Sequence, residues 1–194
     1  MPLHLEDKDV MPEVAEFESV LIVPCNMCPA VTAAVDDGEP FIRLSRHLLR
    51  SAPFERHIRE LQARLTERGV RSEVFRSPLP HQWFLCMCPS GRREKLRQRA
   101  ARHDAAIVLG CETAVDTVRD ALRSTECRVI EGMTVTGFLN ARLTFRLPCT
   151  ISFDDCKLVP LSVDDAVLPT NDASLPTNDA ALPTNRAEHA PARP

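Results

Sequence analysis

Glycine is scarce: the chain carries six in 194 residues. That scarcity disfavours loops that cradle phosphate with bare backbone, and neither G-x-G-x-x-G nor G-x-x-x-x-G-K-[ST] occurs. The zinc-protease pattern H-E-x-x-H is absent too, as is D-x-H-x-x-G of the His-on cobalamin kind. The opening MPLHLEDKDVMPEVAE is acidic and has neither the basic nor the apolar part of a signal peptide, and no later run is long enough to span a bilayer. A cytoplasmic protein without a membrane partner is expected. Net charge is only −3, so nothing global draws the chain to nucleic acid.

What is plentiful is cysteine, with eight residues. In the reducing cytoplasm thiols stay reduced, so this number points to metal ligation or thiol chemistry more than to a disulfide framework. The chain is organised around Ser19 to Ala30, SVLIVPCNMCPA, where an apolar strand runs into Cys25-x-x-Cys28-Pro29 at the start of a helix. Free N–H groups and the dipole at a helix N-terminus favour thiolate, which marks this stretch as a site.

Residues 1–16 read as a flexible polar lead-in, and the first strand covers about Val20 to Pro24. A helix follows until Asp36-Asp37-Gly38, and a second helical stretch is expected over Phe41 to Arg50. Phe54, Ile58, Leu61 and Leu65 recur at helical spacing before Gly69, giving a packing helix. Val70 to Phe75 is β-rich, and Cys86-Met-Cys88-Pro89 leads into the basic helix Arg92 to Arg102. Ala106 to Gly110 is another strand of the doubly buried kind and ends at Cys111. Thr113 and Asp116 have capping-box-like spacing for the helix that follows, and Arg128 to Glu131 gives a fourth strand. Short β-like pieces around Cys149 and Cys156 suggest an edge hairpin. Beyond Ser162, LPTN recurs with period seven at Leu168, Leu175 and Leu182; one proline per repeat and little apolar surface make residues 162–194 a disordered tail.

The expected fold is therefore α/β: residues 17–161 form a single doubly wound, Rossmann- or flavodoxin-like parallel sheet with an edge β-hairpin. A 2-1-3-4 strand order makes the first and third strands neighbours, with Cys25 and Cys111 at their C-terminal ends. Cys86 and Cys88 follow the second strand, on the other side of the first. Five thiols from three distant segments would thus meet at one sheet edge. Thiolates ligate zinc and iron–sulfur clusters, and four suffice for either. Both motifs are followed by Pro, and Met27, Leu85 and Met87 are apolar; these details favour an iron–sulfur cluster, with zinc as the alternative. Cys127, Cys149 and Cys156 read as packing residues.

Two local resemblances supply enzymatic alternatives. The strand–Cys25-x-x-Cys28–helix element resembles the redox element of thioredoxin-like proteins, which implies a first thiolate that attacks a disulfide and a second that resolves it. It covers only those residues and their flanks, and the long helical stretch that follows departs from that fold. Cys86-x5-Arg92 is similar to the nucleophile loop of cysteine-dependent phosphatases, which implies a thiolate nucleophile and a phosphate-holding Arg. Here no Ser or Thr follows Arg92, Cys88 occupies the loop, and no acidic partner can be singled out.

The expected function is an iron–sulfur electron-transfer or accessory protein of an anaerobic-type redox or methyl-transfer system, with Cys25, Cys28, Cys86, Cys88 and Cys111 as metal ligands. A protein partner would dock on the basic helix. His47, His57 and His81 read as structural side chains, and Glu112 as a helix-start charge or an acid–base group beside Cys111.

Overall fold

Apolar runs of two kinds build two sheets. The computed structural model describes residues 2–43, 51–76, 84–147 and 150–161. Continuous runs give the parallel strands: β2 (Ser19–Pro24) is buried throughout, as is β5 (Ala105–Leu109). With β4 (Arg71–Val74) and β6 (Arg128–Glu131) they form a sheet of order β4-β2-β5-β6. In sequence order of its own strands this is 2-1-3-4, the order expected, and β2 lies beside β5 with Leu21 opposite Ala106 and Val23 opposite Val108.

Alternating runs give the second sheet. Strand β1 (Leu3–Asp7), β3 (Ile42–Arg43), β7 (Met133–Arg146) and β8 (Thr150–Pro160) form an antiparallel sheet of order β1-β7-β8-β3. The fold is thus mixed α/β with two sheets, and a single doubly wound parallel sheet is not what the chain forms. The expected short edge hairpin is instead two long strands, flanked by β1 and β3. A register shift between Asn140 and Arg142 breaks the period-two pattern midway, so the sequence reads as separate short pieces.

Two further expectations change for the same reason. The polar lead-in contains β1 and the helical turn α1 (Met11–Val14), because Leu5, Met11 and Val14 are buried among flanking charges. Of the helix expected from Phe41, residues Ile42 and Arg43 are a strand paired with Ile151 and Thr150, and residues 44–50 lie outside the described residues.

Helices fill the spaces between layers. The packing helix α3 (Ala52–Glu67) buries Phe54, Ile58, Leu61 and Leu65 and stops at Gly69, whose φ of +77° only glycine adopts freely. With α2 (Cys28–Asp36) it shares a core built from Val20, Ile22 and Ile107 of the parallel sheet and Leu5, Met133 and Leu139 of the antiparallel one. On the other face of the parallel sheet, α4 (Ser90–Ala100) and α5 (Glu112–Leu122) cover Leu21, Val23, Ala106 and Val108. Among the described residues no helix is long and apolar enough to cross a membrane. The LPTN repeat, His47, His81 and Cys149 lie outside the described residues.

Candidate functional site

Parallel strands present their C-terminal ends along one edge, and the thiols follow those ends. The N–H of Cys25 donates to the Leu109 carbonyl at 2.9 Å, so the β2–β5 pairing continues one residue past β2 and brings Cys25 against the turn at Gly110. Cys28 is the first residue of α2, and Cys111 is the N-cap of α5. The helix after β5 therefore starts at Glu112, before the expected Thr113 cap, which sets Cys111 itself at the helix mouth; Glu112 is exposed there.

Cys86 and Cys88 sit on a tight turn. The Cys88 N–H donates to the Leu85 carbonyl at 3.1 Å, and Leu85 is fully buried under the turn while Met87 at its tip is 68 % exposed. Cys86 is exposed and Cys88 is buried. Leu85 shares a packed cluster with Val23 and Cys25 at the end of β2.

Burial and neighbouring charge both shift the thiols of this edge. Cys25, 4 % exposed, has its pKa pushed up to about 11 by burial, drawn back by backbone hydrogen bonds from Leu85 and Met27, and raised further by Cys28 and Cys86. Burial also raises the Cys28 thiol, a backbone hydrogen bond at Leu3 lowers it, and Cys111 and Cys86 raise it. Cys86 thus acts on both Cys25 and Cys28, and Cys111 on Cys28. Burial raises Cys88 as well, and the nearby Arg92 and Arg93 oppose that rise. Cys88 joins the group through Arg92, on which both Cys88 and Cys25 act.

Arg92, expected on an exposed docking helix or as the phosphate-holding Arg of a phosphatase-like loop, is instead buried. It is 3 % exposed, and its Nε and Nη1 have no hydrogen-bond partner among the described residues. Its guanidinium lies 5.5 Å from the centre of the Phe75 ring. The signal was its spacing: Arg92, Leu96 and Ala100 form the buried stripe of α4. The rest of the basic run is largely paired within the chain. Arg93 bonds Asp120 and the Cys88 carbonyl, Arg97 bonds Glu94, and Arg99 bonds Glu73. Arg92 is therefore withdrawn from the expected docking surface.

The other cysteines stand apart. Cys127 precedes β6 at the opposite end of the sheet and is pushed up to about 11, chiefly by burial and then by Asp104. Cys156 lies on β8, with its Sγ 3.3 Å from the Phe153 carbonyl. His57 stacks on Phe54 and reaches Asp7 at 3.3 Å, away from the thiols.

Among the described residues, no three His, Cys, Asp or Glu side chains stand as a ready-made metal cage. The donor set nevertheless fits a metal centre in its chemistry: several thiols within reach of each other's charge, beside a buried cation with unused donors. Comparison with protein-family models, with curated proteins and with solved structures gives no match.

Proposed function

We propose that the chain is a metal-binding protein whose centre, an iron–sulfur cluster in the first instance, is held by Cys25, Cys28, Cys86 and Cys111, with Cys88 beside them as a further thiol. The observation that supports this reading is the strand order β4-β2-β5-β6, which sets Cys25 and Cys111 at the ends of neighbouring strands, with Cys28 and Cys86 close enough to act on the Cys25 thiol. Such a cluster supplies one-electron transfer when bound. The chain supplies the thiols, the apolar floor of Leu85 and Met27 that keeps water from them, and a cation at the back.

Metal uptake includes a closing step, since Cys86 rides on an exposed turn and the described residues form no finished cage ahead of the metal. It also releases protons, because burial holds Cys25 and Cys28 in the thiol form until a metal displaces them. The same burial weakens the two enzymatic alternatives. A dithiol oxidoreductase needs an attacking thiol with a lowered pKa, and Cys25 is pushed the other way. In the phosphatase reading Arg92 would hold phosphate beside Cys86, yet the thiols that act on Arg92 are Cys88 and Cys25.

Anaerobic purification followed by assay of iron, acid-labile sulfide and zinc tests the proposal. Broad violet absorbance with iron and sulfide is the expected result. Colourless protein with stoichiometric zinc moves the centre to a zinc site on the same thiols. Protein that takes up neither, even on reconstitution, overturns the reading. The cytoplasmic setting, and docking on a larger redox or methyl-transfer system, belong to the same proposal; a pull-down with the loaded protein tests the docking.

A further inference from the structure

Burying a guanidinium with unused donors is costly, and a helix stripe that otherwise carries Leu96 and Ala100 has no need of one. The Phe75 ring relieves part of that cost through its π face. No carboxylate among the described residues relieves the rest. Glu94 is engaged by Arg97 and Gln98, Asp120 by Arg93 and Arg123, and Glu73 by Arg99 and His103. The Phe75 ring under Arg92 packs in one cluster with Leu85 and Cys25, and the ionisable groups that act on Arg92 are Cys88 and Cys25.

Resting on the metal reading above, we infer that Arg92 is the built-in charge partner of the metal centre, keeping its Nε and Nη1 donors for the sulfurs of an anionic, all-thiolate metal group. The chemistry is specific in sign. Thiolates that surround a divalent ion or a cluster outnumber its positive charge, so the assembled centre is net negative and a cation behind it is stabilising. Neutral histidine ligands would give a cationic centre, which Arg92 would oppose. The guanidinium thus selects for a thiolate-only ligand set and against metal held by imidazole. Arg92 is a positioning and charge-balancing residue and makes no bond to the metal.

The test uses the full chain, with zinc ion alone as one probe and iron–sulfide reconstitution as the other. Arg92→Met keeps the length and apolar stem of the side chain, and Arg92→Lys keeps the charge. Chelator competition gives metal affinity, and thermal melts with and without metal give the stability gained on loading. Expected for Arg92→Met is a metal-free melting temperature equal to or above that of the parent, with affinity lowered 10- to 100-fold and a smaller gain on loading. Arg92→Lys recovers part of the affinity. If Arg92→Met lowers the metal-free and loaded melts alike and leaves affinity unchanged, Arg92 is a packing residue and the inference is overturned while the metal site stands. If the parent protein itself takes up neither zinc nor a cluster, the metal reading fails and this inference falls with it.

Discussion

Gly110 and Cys25 approach so closely that a Cβ at position 110 would lie 3.3 Å from the Cys25 Cβ and 2.8 Å from that of Ala114. The contact is where the end of β5 passes between β2 and the first turn of α5, and it holds two thiol-bearing loops together. Gly110→Ala puts a methyl group where none fits, pushing Ala114 and the start of α5 outward and Cys111 with it. A destabilisation of about 1–3 kcal/mol is expected from overpacking, together with weaker metal retention. Urea unfolding and chelator competition check it; a variant equal to the parent in both would show that the approach is slack.

The position of each thiol separates ligands from bystanders. Single Ser substitutions at Cys25, Cys28, Cys86 and Cys111 are expected to abolish or sharply lower metal content. Cys156→Ser and Cys127→Ala, on β8 and at the far end of the parallel sheet, are expected to keep it. Metal analysis of the purified variants, with far-UV circular dichroism as a folding control, checks the division. Retention in Cys111→Ser would remove that loop from the site.

The parallel sheet was legible because burial on both faces leaves a continuous apolar signature, as in LIV of β2 and AIVL of β5, and the topology rules for such strands then place Cys25, Cys86 and Cys111 at a common edge. The antiparallel sheet was not. Its strands are half-exposed, so β1 offers only Leu3 and Leu5 before Glu6, Asp7 and Asp9, and β7 carries a register shift that splits its alternation. The burial of Arg92 was hidden for a related reason: in a run with Arg93, Lys95, Arg97 and Arg99 its charge was conspicuous and its place on the Leu96–Ala100 stripe was not. Patterns that combine opposite requirements, a charge in a core or an apolar anchor in a polar segment, are the ones that composition hides.

Leu5 tests the largest of these corrections. It is 2 % exposed, on a strand that Thr32 helps to fasten: the Leu5 N–H donates to the Thr32 hydroxyl at 3.3 Å. Leu5→Ala is expected to cost about 2–5 kcal/mol, the usual range for a buried large-to-small change. Were residues 1–16 a mobile lead-in, the substitution would leave the urea midpoint unchanged.

Asp104 closes the other end of the sheet. Its Oδ2 accepts the Ser19 N–H at 2.8 Å, the Ser19 hydroxyl at 3.0 Å and the Glu18 N–H at 3.0 Å. Those bonds hold its carboxyl below the usual carboxylate range, chiefly through Ser19. A depressed folded pKa stabilises above the unfolded carboxyl's pKa and loses that contribution as pH falls through the folded one. Asp104→Ala is therefore expected to lower the melting temperature at neutral pH, to converge on the parent in strong acid, and to leave metal content unchanged. A pH series of melts with metal analysis measures all three.

Alkaline pH acts on the thiol site in the opposite direction. Burial raises the Cys25 thiol from about 9 in the unfolded chain to about 11 in the metal-free fold. Between those values the unfolded chain has given up the proton and the fold retains it, so unfolding is favoured as pH rises. The contribution is intact below pH 9 and is lost by about pH 11, on the order of 2 kcal/mol in all. Cys127 carries a similar rise at the far end of the sheet, so the measurement compares Cys127→Ala with Cys25→Ala/Cys127→Ala. Metal-free Cys127→Ala is expected to lose stability over this range, and the double variant to lose less. The loaded Cys127→Ala protein is expected to resemble the double variant, because the metal has already taken the proton from Cys25. Urea midpoints collected from pH 8 to 11 decide it; equal slopes in the two metal-free variants would mean that water reaches Cys25 and that its thiol ionises in the fold as it does in the unfolded chain.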